Sequence, residues 1–394
     1  MYYRQLQYIH LHSQDKNMSK PIIETFRDHD GILKFTVKGI NVSLINAVRR
    51  TILADIPTYC FRTLPHAENR VHITTNTSRL NNEIIRQRMG CIPIHLKAND
   101  PDFEQFNVED YRVVLDVQNT GTSSIYATTK DFRMVNVKTG KELSESVVRR
   151  IFPADPMTNG YILITRLMPK LTQVVEGERI SLTAEIGVGT ARMDGMYNVV
   201  STCAYSATQD VEKADKVWAE CAKVLERDGN DAAFIASEKK NWFAMEAKRH
   251  IHPDSFDFII ETVGVYSNVE ILTKACLLLI EKCNKMISDI ENASGDVEVA
   301  LSDTTLSNGY DITLQNEDYT LGKCIEYILY TNHYMGSRTV SFCGFRKNHP
   351  HDTHSIIRLA FHAPTDVDVV NTYLIQAARD SAAVFQSLIS QIHR

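Results

Sequence analysis

Residues 39–57 read GINVSLINAVRRTILADIP, and the apolar positions recur at helical spacing. Val42, Ile45, Val48, Ile52, Leu53 and Ile56 fall on one broad arc. Asn41 stands where an N-cap belongs, and Ile40 and Ile45 are placed as a hydrophobic staple. Pro57 ends the helix, because the residue before a proline avoids the α region. Arg49 projects into the middle of the arc, and Arg50 lies to one side near Asn46 and Ser43. A guanidinium within an apolar stripe must snorkel or find a partner. Two readings follow. One is a core helix with the Arg49 stem laid along a neighbour; the other is an interface helix whose two arginines meet another chain. Spacing alone favours the first.

The same patterning predicts the other elements. Residues 22–26 and 32–37 alternate as strands around Asp28-His29-Asp30-Gly31, and Asp-Gly is a hairpin signal. After an extended stretch over 59–73, Thr77 or Ser78 caps a helix over 79–89, with Gly90 at its C′ position. Residues 91–96 (CIPIHL) read as a short edge strand because of Pro93. Through 97–196 the clearest strands are 112–117, 125–129, 161–166 and 179–186, with breaks at Asn119-Thr-Gly, Lys138-Thr-Gly and Glu176-Gly177. A strand over 198–206 precedes a charged helical stretch over 209–250. Residues 256–265 form a strand. Ser267 and Glu270 then make a capping box for a long helix whose stripe is Leu272, Cys276, Leu279, Cys283, Met286 and Ile290.

Residues 291–303 (ENASGDVEVALSD) are acidic and small, the composition of a linker. Beyond them the plan repeats. Strands occupy 305–314, Asp318 caps a helix to about Tyr330, and 338–345 and 355–362 are strands. Thr365 and Asp368 open a closing helix with Val370, Tyr373, Leu374, Ala377, Ser381, Val384, Leu388 and Ile392 on one face. Each half thus reads as strands, capped helix, strand and long seam helix. A helix with a seam stripe needs a partner helix, and the halves can supply each other.

Composition adds bounds. The 394 residues are 43% hydrophobic and 23% charged, enough for two or three domains with cores. A net charge of −5 argues against nucleic-acid binding by bulk charge. The eight cysteines, at 60, 91, 203, 221, 276, 283, 324 and 343, form no CxxC and read as reduced, mostly buried thiols. MYYRQLQYIHLHSQDKNMSK lacks the apolar centre of a signal peptide, and no run reaches the ~20 residues of a membrane span. The expectation is a soluble intracellular chain.

Candidate chemistry is sparse. His349, His351 and His354 near Cys343 resemble metal ligands on paper but read better as a surface turn entering a strand. Gly187 and Gly189 are too isolated for a phosphate loop, and Asp194, Asp303 and Asp311 are solitary. No G-x-S-x-G, H-E-x-x-H or Walker pattern occurs. The stretch 209–250 is a solvated helical face; Trp218 and Trp242 anchor it either to the body or to a small partner.

Two segments carry a resemblance. NVSLINAVRRTILADIP, followed by TSRLNNEIIRQRMGCIPIHL, resembles the α-type assembly subunit of cellular RNA polymerases. That family comprises bacterial α, its archaeal D-like counterpart and the third subunit of polymerase II. Its N-x-x-R-R pattern is met by Asn46, Arg49 and Arg50. Its L-x-x-E-x-x-x-x-R-x-G-x-I-P pattern is met by Leu80, Glu83, Arg88, Gly90, Ile92 and Pro93. NEDYTLGKCIEYIL and GFRKNHPHDTHSIIRLAF resemble the smaller partner, archaeal L-like or the eleventh subunit of polymerase II. The matching positions are Asp318, Thr320, Leu321 and Gly322, then Gly344, Phe345, His349 and Pro350.

The resemblance implies an α+β chain in which the dimerisation fold of the bacterial α N-terminal domain is present twice as an intramolecular pseudo-dimer. The implied divisions are an N-terminal arm (1–19), a third-subunit-like domain (20–56 and 197–290), an inserted β-rich domain (57–196), a linker (291–303) and an eleventh-subunit-like domain (304–394). The seam would draw on Ile45, Val48, Ile52, Leu272, Leu279, Met286, Leu321, Ile325, Tyr373, Leu374, Val384 and Leu388. Asn46, Arg49, Arg50 and Leu53 would face or support the second-largest polymerase subunit, which raises the interface reading of the opening helix.

The implied function is a non-catalytic assembly platform of a DNA-directed RNA polymerase, itself a nucleotidyltransferase. The largest and second-largest subunits and small subunits of the tenth and twelfth type would be its partners. DNA would be met only through the complex, and no membrane is involved. Fusion in this order resembles polymerase subunits of large DNA viruses of eukaryotes, which would act in the host cytoplasm (viral factory), in the virion and, as a further site, in the nucleus. Many relatives carry a cysteine cluster for zinc or iron–sulfur in the insert; here Cys60 and Cys91 are isolated, so no metal or other cofactor is expected. The alternative is a stand-alone nucleic-acid-binding or enzymatic module reusing the fold.

Overall fold

The computed structural model describes residues 21–96, 107–170 and 176–392. Strands β1 (Ile22–His29) and β2 (Ile32–Lys38) open the described chain, joined by Asp30-Gly31 with φ of 52° and 74°. Positive φ at both turn positions matches the right-handed twist of the flanking strands, which is why Asp-Gly serves here. Helix α1 (Val42–Ala54) follows, and Asn41 Oδ1 accepts from the Ser43 N–H at 2.9 Å, the cap predicted from sequence.

Next come β3 (Thr58–Phe61), β4 (Val71–Asn76) and α2 (Asn82–Gly90). This region departs from the sequence reading in three ways. Asn81 caps α2, accepting from the Ile84 N–H at 2.9 Å, whereas Ser78 is held in a turn by two hydrogen bonds to Asn76 Oδ1. Gly90 is the last helical residue, not the one after it. Residues 91–96 form no strand. The His95 N–H reaches the Ile151 carbonyl and the Leu96 N–H the Ile94 carbonyl, so these donors serve loop contacts and not a ladder.

The chain continues through β5 (Tyr111–Gln118), β6 (Ile125–Thr128), β7 (Arg133–Asn136), α3 (Glu145–Ile151), β8 (Leu163–Leu167) and β9 (Arg179–Gly189). It proceeds through β10 (Val200–Gln209), α4 (Val211–Arg227), α5 (Ala232–Ala244), β11 (Ile251–Thr262) and α6 (Asn268–Glu291). The α6 capping box is formed: Glu270 Oε2 accepts from Ser267 N–H at 2.7 Å, and Ser267 Oγ accepts from the Glu270 N–H at 3.3 Å. The last elements are β12 (Val297–Leu301), β13 (Gly309–Gln315), α7 (Tyr319–Leu329), β14 (Val340–Arg346), β15 (His354–Phe361) and α8 (Val367–Ile392), with a π-helical turn over Tyr330–Gly336. The acidic stretch 291–303 is therefore not simply a linker: its Val297–Leu301 pairs with β13 in register from Val297↔Leu314 to Leu301↔Tyr310.

The chain divides into two compact units. The first comprises the described residues of Met1–Thr51, Thr202–Glu261 and Leu272–Arg394; the second is Ile52–Ser201 with Thr262–Ile271. The N-terminal arm, 1–19, lies outside the described residues.

The first unit holds two four-stranded antiparallel sheets, ordered β1-β2-β11-β10 and β12-β13-β15-β14. Alternation selects the buried faces. Leu33, Phe35 and Val37 of β2 are buried, as are Ile312 and Leu314 of β13 and Ile357 and Leu359 of β15. Phe35 stacks on Phe258 at 5.2 Å, tying β2 to β11. The α6 stripe read from sequence is buried from Leu272 through Cys276, Leu279 and Cys283 to Met286.

The second unit is built on β9, which pairs with β3 and β4 along one edge and β5 along the other, with β7 beyond β5 and a separate β6–β8 pair. Phe61, Phe132 and Phe152 fill its core, Phe132 standing edge-on to Phe152 at 5.0 Å. The chain thus has mixed α and β content.

Candidate interaction site

The opening helix meets a second helix start within the first unit. Arg50 of α1 donates from Nε to Thr320 Oγ1 at 3.0 Å and from Nη2 to Asp318 Oδ2 at 2.8 Å. Asp318 is the N-cap of α7, its other oxygen accepting from the Thr320 N–H at 2.8 Å. One carboxylate thus satisfies a helix terminus and a guanidinium together. Charge-assisted bonds of this kind are about twice as strong as neutral ones. The site is also drier than the surface, the two side chains being 33% and 15% exposed.

Arg49 is placed differently. It is half-buried, its Nε donates to Asn46 Oδ1 at 3.1 Å, and its carbonyl accepts from Cys203 Sγ at 3.9 Å. Asn46 and Leu53 are also half-buried. On the arc itself, Val42 is 46% exposed, while Leu44, Ala47 and Thr51, outside the predicted arc, are buried, so the buried face is turned relative to the one the spacing implied. Ile45, Val48 and Ile52 are each at most 1% exposed.

Further links join residues before 292 to residues after 316. Lys282 Nζ lies 3.3 Å from both Glu317 oxygens, and Arg379 Nη2 lies 3.7 Å from Glu291. Gln391 near the end of α8 accepts from the Ile23 N–H at 2.9 Å and donates to the Pro21 carbonyl. Cys324 Sγ approaches the Ser43 carbonyl at 3.8 Å. Sequence reading missed all of these partners. The available signal was the placement of charged residues, Arg50 and Asp318, beside apolar helix stripes in separate halves.

The remaining seam candidates Leu272, Leu279, Met286, Leu321, Ile325, Leu374, Val384 and Leu388 are buried. Tyr373 is not. Half-exposed, it stacks on His333 at 3.8 Å and 7° and lies 5.9 Å from Phe361, so its ring is used within the C-terminal segment's own packing. Phe385 and Ala378 are fully buried on α8, which the spacing did not select.

The motif residues fall into three groups. Two glycines permit close approach. A Cβ on Gly90 would stand 2.4 Å from Met196 Sδ and 2.9 Å from Thr63 Oγ1, and one on Gly322 would stand 2.0 Å from the Phe345 ring. Thr320 is buried at the Arg50 contact. Glu83, His349 and Pro350 are exposed and Pro93 half-buried, while Arg88 is exposed and donates to the Leu163 and Ile164 carbonyls. His349 and His351 belong to a turn in which the His351 N–H donates to His349 Nδ1 at 3.2 Å.

No reactive centre stands out in the electrostatics of the described residues. Burial pushes the thiols of Cys276, Cys283, Cys203 and Cys343 up to about 12 and that of Cys60 up to about 11, which keeps them protonated. Among the described residues no three His, Cys, Asp or Glu side chains are grouped as metal ligands. No described helix is long and apolar enough to cross a membrane.

The sequence model of the RNA polymerase Rpb3/Rpb11 dimerisation domain matches residues 34–283. Among curated proteins, DNA-directed RNA polymerase subunit Rpo3 of Pyrococcus horikoshii is 22% identical over 288 residues, 69% of this chain and 99% of that protein. Rpo3 of Thermococcus kodakarensis is 24% identical over 273 residues, 66% of this chain and 93% of its own. DNA-directed RNA polymerases I and III subunit RPAC1 of Homo sapiens is 22% identical over 325 residues, 72% of this chain and 88% of its own. With the family match spanning more than half of its length, this chain belongs to the RNA polymerase Rpb3/Rpb11 dimerisation-domain family.

Proposed function

We propose that the chain is a non-catalytic assembly subunit of a multisubunit DNA-directed RNA polymerase and that it carries both dimerisation partners in one polypeptide. A third-subunit-like domain would comprise 20–56 and 197–290, with 57–196 inserted as a β-rich domain. An eleventh-subunit-like domain would comprise 304–394. The observation that carries this reading is the bond from Arg50 to Asp318 and Thr320. It joins the N-x-x-R-R motif to the acidic-x-T-L-G motif, each beside its own four-stranded antiparallel sheet. Covalent linkage gives the two halves a high effective concentration, so their pairing needs no bimolecular step.

In this reading the paired halves are a platform for the second-largest and largest subunits, with small subunits of the tenth and twelfth type alongside. Arg50 is committed to Asp318 and supports the contact from behind, leaving Asn46, Arg49 and Leu53 as the side chains for the second-largest subunit. The platform holds no cofactor and meets DNA only through the complex. The fused order supports a source among large DNA viruses of eukaryotes, with transcription in the host cytoplasm.

Affinity purification of the tagged chain from its native source tests the proposal. The two large polymerase subunits should be recovered with it in stoichiometric amounts. Recovery of the chain as a lone monomer from cells making the polymerase would overturn it.

A further inference from the structure

The second unit contains a cavity of about 460 Å³ between α2 and β8. Its floor is apolar, made by Leu80, Leu163 and Met168, and Leu163 is 42% exposed there. Its rim carries three guanidinium groups, those of Arg79, Arg88 and Arg166. Arg79 reaches Glu178 at 3.3 Å. Arg88 is held by the carbonyls of Leu163 and Ile164, and Arg166 donates to Ser124 Oγ at 3.0 Å. Among the described residues, neither Arg88 nor Arg166 is in an ion pair with a carboxylate. On a chain of net charge −5, Arg88 and Arg166 beside the Arg79–Glu178 pair make this lining locally positive, against the overall charge.

We infer that this cavity docks an acidic peptide segment of another protein chain, which lays an apolar side chain on Leu80, Leu163 and Met168 and sets its carboxylates against Arg88 and Arg166. The guanidinium fork matches a carboxylate in two parallel hydrogen bonds, and the neutral partners that now hold both arginines leave their charge uncompensated. Pairing two such charges beside an apolar contact supplies both specificity and area. Nucleic acid fits less well. Phosphates would use the rim and leave the floor idle, and the lining has no aromatic ring on which a base could stack.

The other protein chain is taken to be a component of the assembly proposed above, so the inference rests on that reading. Leu163 is replaced by the photo-reactive p-benzoylphenylalanine in the full chain, expressed in its native source, and the cross-linked peptides are mapped by mass spectrometry. The expected result is a cross-link to an Asp- or Glu-rich segment of another polypeptide, lost in Arg166→Glu and weakened but still present in Arg166→Lys, which keeps the charge without the fork. Arg166 is the decisive position because Arg88 also ties α2 to β8. A cross-link to nucleic acid, to this chain itself or to a segment without acidic residues overturns the inference. So does no cross-link, or one that survives Arg166→Glu. Co-purification of the large subunits in the same preparation judges the assembly reading separately.

Discussion

Arg50 and Asp318 are 268 positions apart in sequence and 2.8 Å apart in space. Asp318 would cap α7 in any case, since an aspartate before a helix satisfies its first free N–H groups. Its second oxygen then presents a charge to α1, and Arg50 is the residue of α1 that reaches it. The capping requirement of one helix thereby fixes the position of the other.

The pair is separable from the cap. Asparagine caps a helix about as well as aspartate but carries no charge, so Asp318→Asn removes mainly the ion pair. Arg50→Ala and Asp318→Asn should each lower unfolding stability by about 1–3 kcal/mol. Urea denaturation of both single variants and the double variant should give a coupling of ~1–2 kcal/mol. Strict additivity of the two substitutions would show that the contact contributes nothing.

Gly322 is required by Phe345. A methyl at Gly322 would sit 2.0 Å from the ring, which also packs edge-on against Tyr319 at 5.1 Å. Gly322→Ala should therefore cost about 1–3 kcal/mol through overpacking, despite alanine's better helix propensity. In a Phe345→Ala background, which carries its own cost, the further cost of Gly322→Ala should shrink, so that thermal melts of the double variant show less than the sum of the two losses. An unchanged melting temperature for Gly322→Ala alone would refute the steric account.

Local periodicity made most helices legible. Asn41, the Ser267–Glu270 box and Asp318 were readable caps because cap and helix are adjacent in sequence. The DHDG hairpin was readable for the same reason. What failed was either short or long-range. β7 has four residues and α3 seven, too few for a period to emerge. Residues 297–301 alternate as VEVAL, but five residues set in an acidic, small-residue stretch read as linker, and it is the pairing with β13 that makes them a strand. Tyr373 fell on the α8 stripe by spacing, yet its ring is taken by His333, forty residues upstream of it in the chain. At the candidate site, the sequence marked Arg49 as the anomaly inside the apolar arc, whereas the long-range ion pair is made by Arg50, which the spacing placed to one side, and no local pattern reveals its partner.

Thiol chemistry should divide the eight cysteines sharply. Cys276, Cys283 and Cys203 are buried with thiols pushed up to about 12, so alkylation at neutral pH should not reach them in the folded chain. Cys91 is exposed, and its thiol is raised by partial burial and by Asp194. Iodoacetamide followed by peptide mapping should modify Cys91 first and the three buried positions only in denaturant. Rapid native labelling of Cys276 or Cys283 would mean that the α6 stripe is not packed.

Asp311 and Arg358 face each other across β13 and β15, bonded at 2.5 and 2.6 Å. The Arg358 hydrogen bonds hold the Asp311 carboxyl below the usual range, outweighing partial burial, which acts the other way. A carboxylate depressed on folding contributes stability that is present above its unfolded value. That contribution is lost as pH falls through the lower, folded value. The loss should therefore develop below about pH 4, where the unfolded carboxylate begins to protonate. Asp311→Asn should be less stable than the parent at pH 7, and the gap should narrow progressively on acidification as the parent loses its own pair. Guanidinium would screen the pair, so the comparison is best made in urea at several pH values. A gap that stays constant from pH 7 to pH 2 would mean that the two strands are held by their ladder and apolar face alone, with no net contribution from the charges.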